Sequence, residues 1–399
     1  MPFTPVTERV AVKTVPADAV ERVRRELSVS PVVATILAGR GLTDYETCRR
    51  YFNPDPANLH DPFLFGAMGK AVERIGRAID SGEKITIYGD YDVDGITATV
   101  LLKRVLDALG ADCSWYLPNR LVEGYGISAD GIESIAAGGT RLVISVDCGV
   151  TACDQVEAAR LRGVDVIVTD HHEPKWKLPA AFAIINPKVE GCGYPDTTLA
   201  GVGVALKLCQ ALCTARGAPD RLWKERFDLA AVGTAADIVP LTGENRIIVS
   251  HGFALLADRP LAGFAALLEL QGLKGRRLST HDVVFQIAPC INAVGRLGDA
   301  SAGVRLLLCD DPAAAMPLAQ VLVDANRERR AIHEQVAGDA CAWVQATCEP
   351  ERDFALVAGE RHWHAGVIGI VASKLVERFY RPAILMSIGD DGMARGSGR

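Results

Sequence analysis

The segment Tyr88-Gly-Asp90-Tyr-Asp92-Val-Asp94-Gly95 places three carboxylates at every second position, directly behind the β-like run Lys84-Ile-Thr-Ile-Tyr88. On a strand of period two, Asp90, Asp92 and Asp94 share one side, and where the strand ends and turns they converge. Carboxylates that close repel one another unless a cation sits among them. A second segment, Ile144-Ser-Val-Asp147-Cys-Gly, and a third, Ile167-Val-Thr-Asp170-His171-His172, follow the same pattern of an apolar run ending in metal-ligand types. Together they predict a divalent metal centre, and therefore chemistry rather than bare binding. An oxygen-rich set with one or two His and no thiolate suits Mn²⁺ or Mg²⁺ better than a structural zinc. Two such ions, about 3.5 to 4 Å apart and bridged by a carboxylate, make a phosphoester-cleaving centre.

Each candidate has a plainer reading. A lone Asp-x-Asp is ordinarily a solvated turn or cap, and only the company of Asp147, His171 and His172 at other strand ends favours a metal for Asp92 and Asp94. Cys148 would follow a ligand pointing the other way and is assigned to packing. Asp237 lies between Ala236 and Ile238, and a carboxylate there needs a cation or donor partner unless it caps a helix. Arg120, behind Leu117-Pro-Asn, is placed to hold a phosphate bidentately or to form a surface salt bridge. In Asn292-Ala-Val-Gly295-Arg296-Leu-Gly298 an Arg between glycines suggests close approach of the backbone to a ligand. The stretch Ala394-Arg395-Gly-Ser397-Gly-Arg399 has the donors of an anion-binding loop, or is a disordered end. His362-Trp363-His364-Ala-Gly366-Val-Ile-Gly369 precedes a helix whose amides can meet an anion, with Trp363 placed to stack a base. Phosphate or substrate contact is favoured there over a second metal, because no acid closely accompanies the two His. His60, His251, His281 and His333 stand alone and read as structural.

The elements that must position these residues follow from apolar patterning. Residues 1–80 form a helical, partly irregular lead-in, broken by Phe52-Asn-Pro-Asp-Pro and Asp61-Pro-Phe, with an amphipathic helix from Met68 to Ser81. From Ile85 the pattern alternates: strand Ile85 to Tyr88, helix Gly95 to Ala108, strand Ala111 to Leu117, strand Leu142 to Val146, a helix through Gln155–Arg160, strand Val164 to Thr169. Short strands, apolar on both faces and separated by helices, predict an α/β fold with a parallel sheet flanked on both sides. Ligands in such sheets bind outside the carboxyl ends of the strands, which is where the acid motifs fall. Further helices are expected over Leu199–Ala215 and Phe227–Thr234. Residues 81–315 make the catalytic domain. A long connecting helix follows over 316–350, with Gly338 placed to interrupt it. A smaller α/β domain over 351–399 opens with the strand Phe354–Ala358, the helix Val367–Phe379 and the strand Pro382–Met386.

Bulk properties bound this reading. The 399 residues suffice for two or more domains and a sizeable core, and 49% hydrophobic with 23% charged residues is an ordinary globular mix. No apolar run approaches the roughly 18 to 20 residues that span a bilayer. Glu8, Arg9 and Lys13 have no continuous apolar core behind them, so the N-terminus is not read as a secretory signal. Eleven Cys without a Cys-x-x-Cys pair read as small buried hydrophobes in a reducing cytoplasm. A formal net charge of −6 argues against a nonspecific nucleic-acid coat protein. It does not exclude a nuclease, because metal-binding acids inflate the negative count.

In this order the motifs resemble those of the DHH phosphoesterase superfamily and, within it, the RecJ single-strand-specific exonucleases. Tyr88 to Thr97, Ser145 to Gly149, Asp170-His171-His172 and Gly233-Thr-Ala-Ala-Asp237-Ile-Val-Pro carry the likeness in the first domain. Asn292 to Leu297, Trp363 to Gly369 and Arg395 to Arg399 extend it from about residue 30 to the last residue. The resemblance implies two Mn²⁺ or Mg²⁺ ions, one held by Asp92 and Asp147, the other by Asp94, Asp147, His171 and Asp237, with Asp147 bridging. It implies support from Asp90, a scissile-phosphate contact from His172, and a strand or 5′ end held by Arg120, Arg296, His364, Arg395 and Ser397. The implied activity is 5′→3′ hydrolysis of single-stranded DNA to 5′-mononucleotides in recombination and repair, with a single-strand-binding protein or helicase as partner and no membrane. Relatives continue past the Gly-Ser-Gly-Arg stretch with a Gly-Gly-His motif and an OB-fold, so a missing C-terminal segment is expected. A small-substrate phosphodiesterase or pyrophosphatase, and an inactive replication scaffold, remain the alternatives.

Overall fold

The computed structural model describes residues 11–349 and 352–399. The first ten residues of the expected lead-in, including Glu8 and Arg9, and the expected boundary at 350–351 lie outside the described residues. Five parallel strands form the main sheet: β1 (Ile85–Gly89), β2 (Cys113–Tyr116), β3 (Leu142–Val146), β4 (Asp165–Thr169) and β5 (Ala183–Ile185), in the order β2-β1-β3-β4-β5. β1 and β3 are wholly buried, as continuous apolar runs in a sheet covered on both faces should be. The helices Val93–Ala108 and Gly201–Ala215 pack together against one face and each buries twelve residues. Ala129–Ala137 and Cys153–Leu161 cover the other face with a smaller cluster around Val143, Val166 and Val168.

The strand order reverses between β1 and β3, and that switch point is where a doubly wound sheet opens a crevice for ligands. The register makes the crevice acidic. Gly89 pairs with Val146 and Val146 with Thr169, so the first residues beyond these three strands, Asp90, Asp147 and Asp170, come side by side.

The small second sheet has β6 (Leu356–Glu360) parallel to β7 (Ala383–Ile388), and β8 (Ala394–Gly398) antiparallel to β7. The helix Ile368–Phe379 covers it. Pro312–Thr347 is one helix shared between two cores. Ala315, Ala319 and Leu322 belong to the main core, whereas Val336, Ala337, Ala340, Cys341 and Val344 complete the core of the second domain.

Several expectations are corrected. The helix behind the first acid motif starts at Val93, not Gly95, so Asp92 is its N-cap and Asp94 lies in its first turn; the three acids do not share a strand face. β5 and the Ala129–Ala137 helix have no counterpart in the sequence reading. Gly338 does not interrupt the long helix: one glycine costs about 1 kcal/mol against alanine, and the flanking buried residues anchor the helix on both sides. Ala394–Gly398 is neither loop nor disordered end but strand β8, hydrogen-bonded along β7. Trp363 is 2% exposed inside the second core and has no face to offer a base. Among the described residues no helix is long and apolar enough to cross a membrane.

Candidate metal centre

The Asp92 side chain accepts from Gly95 N–H at 3.1 Å, and Asp94 accepts from the N–H groups of Gly201 and Val202 at 2.7 and 2.8 Å. Asp94 therefore sits at two helix N-termini at once, its own and that of Gly201–Ala215, where the amide dipoles favour a negative charge. Asp147 ends β3 in the left-handed region at φ 60, a conformation that Asp tolerates better than most residues. A Cβ on Gly201 would lie 2.5 Å from the Asp147 Oδ1, so the helix can begin this close only with glycine there.

His171 and Asp237 close the site. His171 Nε2 lies 3.2 Å from Asp147 Oδ1, 3.6 Å from Asp237 Oδ2 and 3.9 Å from Asp94 Oδ2. Asp237 is the C-cap of the helix Phe227–Ala236. The N-capping role is excluded, and the exposed carbonyl end of a helix repels a carboxylate, so Asp237 needs a cation. Behind it Ile238 adopts φ 61, a costly conformation for a β-branched side chain and a mark of local constraint.

The electrostatics call for a cation. Burial, and then the charge of Asp92, raises Asp90 to about 8 and Asp94 to about 7. Asp237 is raised to about 7 by burial and then by Asp94, and Asp147 is driven well up by burial and by the surrounding acids. Burial holds His171 below its ordinary value. Asp90 Oδ1, Asp147 Oδ1 and His171 Nε2 are buried without a hydrogen-bond partner, an arrangement that is costly unless something else binds them. Ligand atoms of Asp90, Asp92 and Asp147, of Asp94, His171 and Asp237, and of Asp147, His171 and His172 come within 4.8 Å of one another in each trio. These residues fit divalent ions bound by oxygen and imidazole, with Asp147 common to two of the trios.

Asp170 has a different task, which the sequence reading did not assign. Its carboxylate accepts from the N–H groups of Val150, His171 and His172 at 2.9, 2.8 and 3.1 Å, and from His172 Nδ1 at 2.7 Å. Burial alone would raise it, yet these bonds hold it below the ordinary value, and its charge in turn lifts His172 against the effect of burial. The signal was present, since an Asp directly before two His can bond their backbone amides. The hydroxyl of Tyr125, 3.1 Å from the His172 ring nitrogens, had no such signal. Its loop is fixed by Glu123, which accepts from Asn119 N and Tyr116 Oη.

The candidate substrate residues surround this centre unevenly. Arg120 lies over the Tyr91 ring, 5.0 Å from its centroid, and no salt bridge to it is found among the described residues. Arg296 lies inside the helix Ala288–Leu297, not in a glycine loop. Gly295 is required by the chain itself, because a Cβ there would meet the Tyr91 carbonyl at 2.9 Å. Burial, and then Arg120, lowers Arg296 to about 10. Arg395 of β8 reaches across the cleft and donates to the Leu121 carbonyl. Ser397 and Arg399 face Gly369 at the start of the helix Ile368–Phe379. His364 Nδ1 accepts from Gly366 N at 3.0 Å, and His362 pairs with Asp339 at 3.1 Å, an acid the sequence reading had not placed near it.

The fold and the site define a class: a parallel α/β domain with a carboxylate–imidazole centre at its switch point, linked by a long helix to a small mixed-sheet domain. Residues 84–234 match the family model described as DHH family, N-terminal domain. The single-stranded-DNA-specific exonuclease RecJ of Bacillus subtilis (strain 168) is 41% identical over 383 residues, which are 96% of this chain and 48% of that protein. Among solved structures, exonuclease RecJ bound to manganese superposes with a TM-score of 0.73 at 37% identity, over 80% of this chain and 79% of that one. RecJ from Thermus thermophilus in complex with Mn²⁺ does so with a TM-score of 0.80 at 33% identity, over 93% and 52%. The chain belongs to the DHH family, among its RecJ-like members. It spans about half the length of the Bacillus protein it matches.

Proposed function

We propose that this chain carries the catalytic part of a metal-dependent 5′→3′ exonuclease acting on single-stranded DNA in recombination and repair. The observation that carries the proposal is the set of orphaned buried atoms on Asp90, Asp147 and His171, which face one another at the sheet's switch point. RecJ relatives and metal-bound RecJ structures support the same reading. Asp92 and Asp147 would hold one ion and Asp94, Asp147, His171 and Asp237 the other, either Mn²⁺ or Mg²⁺, with Asp90 alongside. When bound, such ions lower the pKa of a water and offset charge on phosphoryl oxygens.

The chain's own residues do the rest. Asp170 accepts from His172 Nδ1, and its charge favours the protonated form of a ring that, beside the Tyr125 hydroxyl, can donate to a phosphoryl oxygen. Arg120 and Arg296 sit beside Asp92 and Tyr91, where guanidinium groups can bind a phosphate of the strand or its 5′ end. Arg395, Ser397 and His364 approach from the second domain. Residues 81–315 are taken as the catalytic domain, 316–350 as the connector and 351–399 as part of the second domain. A cytoplasmic setting, with a single-strand-binding protein or helicase as partner, accords with the relatives' DNA substrate and with cysteines that are free among the described residues.

Incubation of a 5′- or 3′-end-labelled single-stranded oligonucleotide with Mn²⁺, Mg²⁺ or chelator tests the proposal. The expected result is release of 5′-mononucleotides from the 5′ end with either metal, none with chelator, and duplex left intact. Hydrolysis of pyrophosphate or dinucleotides alone would refute the assignment.

A further inference from the structure

The loop 119–128 brings Arg120 and Tyr125 to the edge of the metal centre. Arg120 lies over the Tyr91 ring, and the Tyr125 ring meets Tyr91 edge-on with centroids 6.5 Å apart. Tyr91 stands between Asp90 and Asp92, so the loop rests directly on the first acid segment. Little apolar packing holds its tip, where Val122 and Tyr125 are 77% and 53% exposed. The backbone is no firmer. Gly124 and Gly126, on either side of Tyr125, have φ of 85 and 80, and no atom comes within 4 Å of a Cβ built at either. Glycines in open space keep the widest conformational freedom of any residue, so something else must fix Tyr125 and Arg120.

One carboxylate does so. Glu123 Oε1 accepts from Asn119 N at 2.7 Å, immediately before Arg120. Its Oε2 accepts from Ser128 Oγ at 2.5 Å, at the exit of the loop, and from Tyr116 Oη at 2.9 Å, on β2. Ser128 is itself anchored. It caps the helix Ala129–Ala137 by accepting from Gly131 N at 2.9 Å, and its own N–H donates to Tyr88 Oη at 3.0 Å. Tyr88 is wholly buried on β1, in the strand that leads into Asp90. Glu123 therefore ties the entry of the loop, its exit and the sheet beneath it with charge-assisted hydrogen bonds, which are stronger than neutral ones. None of its partners is a proposed metal ligand, and no salt bridge to it is found among the described residues.

We propose that Glu123 is the positioning residue of this loop: it sets Arg120 and Tyr125 against the metal centre, and so governs how a phosphate is held there, without touching substrate or metal. The inference rests on the phosphate-binding reading of Arg120 given above, and half of its test needs no hydrolysis.

The test is a double-mutant cycle of Glu123→Ala and Arg120→Ala. Affinity for a short 5′-phosphorylated oligothymidylate, labelled at its 3′ end, is read by fluorescence anisotropy in chelator; kcat and KM are read with manganese. Glu123→Ala should weaken binding and raise KM about tenfold, the effect of losing hydrogen bonds to a charged group. In the Arg120→Ala background the same change should matter about twofold or less, because the guanidinium it positions is gone. Equal losses in both backgrounds would overturn the proposal. Glu123→Gln keeps an oxygen for Asn119 N and an amide that can donate to the two hydroxyls, so it should recover to within about threefold of wild type. A glutamine variant as impaired as the alanine one would overturn the role, since charge rather than loop geometry would then decide. Manganese affinity by calorimetry should stay at the wild-type value; a loss would mean that Glu123 acts on the metal centre itself. Should Glu123→Ala fail to fold, Tyr116→Phe, which removes one of the three donors, takes its place in the cycle with an expected effect of about threefold. Coupled binding losses in a protein that cleaves nothing with metal would leave the positioning role standing and overturn the exonuclease reading. A wild-type protein that does not bind the strand would overturn both.

Discussion

At the carboxyl ends of β1, β3 and β4, Asp90, Asp94, Asp147, Asp170 and His171 are buried. Asp94 and Asp170 are held by backbone amides of other segments, and Asp147 is wedged against Gly201. Across the cleft, Arg395 and Arg399 of the second domain are exposed and occupy themselves with carbonyl and hydroxyl groups of their own chain. The first region is preorganised at an electrostatic cost, because like charges are forced together and kept from water. The second is cheap to build, because its charged groups keep their water. Chemistry needs the first arrangement, since catalytic geometry cannot be assembled at the moment of reaction. Binding a flexible ligand tolerates the second.

The sharpest way to break that contrast is to remove one charge from the crowded side. Asp147→Asn keeps a residue that accepts φ 60 but loses the carboxylate shared by two of the ligand trios. Nuclease turnover should fall by about 10³-fold or more. In chelator the variant should melt at a higher temperature than wild type, because a buried repulsion has gone. Activity within tenfold of wild type would remove Asp147 from the catalytic set. Asp170→Asn probes the layer behind. It leaves every proposed ligand in place but loosens His172, so kcat should drop about 10- to 100-fold with manganese affinity little changed. A parallel loss of metal affinity would show that Asp170 shapes the ligand set itself.

What the sequence made legible divides along the same line. The strands β1, β3 and β4 and the clustering of the acids behind them were readable because apolar runs of two-faced burial end abruptly in acids, and the strand-end rule placed those acids together. Asp94 was misread as part of a strand face because its helix begins two residues early, under the pull of the Asp92 cap. The short strand β5, only Ala183–Ile185, gave too little pattern to detect. In the second domain, glycine-rich Ala394–Gly398 reads as a loop, yet pairing with β7 makes it a strand, and Trp363 is claimed by a core no local window reveals.

The cost of preorganisation should be measurable as pH dependence. Asp90, Asp94 and Asp237 have folded values of about 8, 7 and 7, against roughly 3.9 in an unfolded chain. Raised folded values mean that the native state holds protons the unfolded chain releases. Their contribution is therefore complete below about pH 4 and is lost as pH rises through 7 to 8. Bound metal replaces those protons, so the gap in melting temperature between manganese-loaded and chelated protein should widen steadily from pH 5 to pH 8. A gap that is constant or narrows with pH would mean that the acids are not competing with a cation.

The smallest effect belongs to the exposed side. Arg395→Ala removes a guanidinium whose partner is the Leu121 carbonyl, in the loop that also carries Arg120 and Tyr125. A solvent-exposed contact is worth about 1 kcal/mol at most, so KM for a single strand should rise about fivefold or less with kcat unaltered. Arg296→Ala, which empties a half-buried position between the metal centre and the second domain, should raise KM by considerably more. Equal effects of the two substitutions, compared at the same salt concentration, would erase the distinction between a half-buried guanidinium beside the acids and an exposed one across from them. A fall in kcat for Arg395→Ala would place the second domain inside the chemistry rather than beside it.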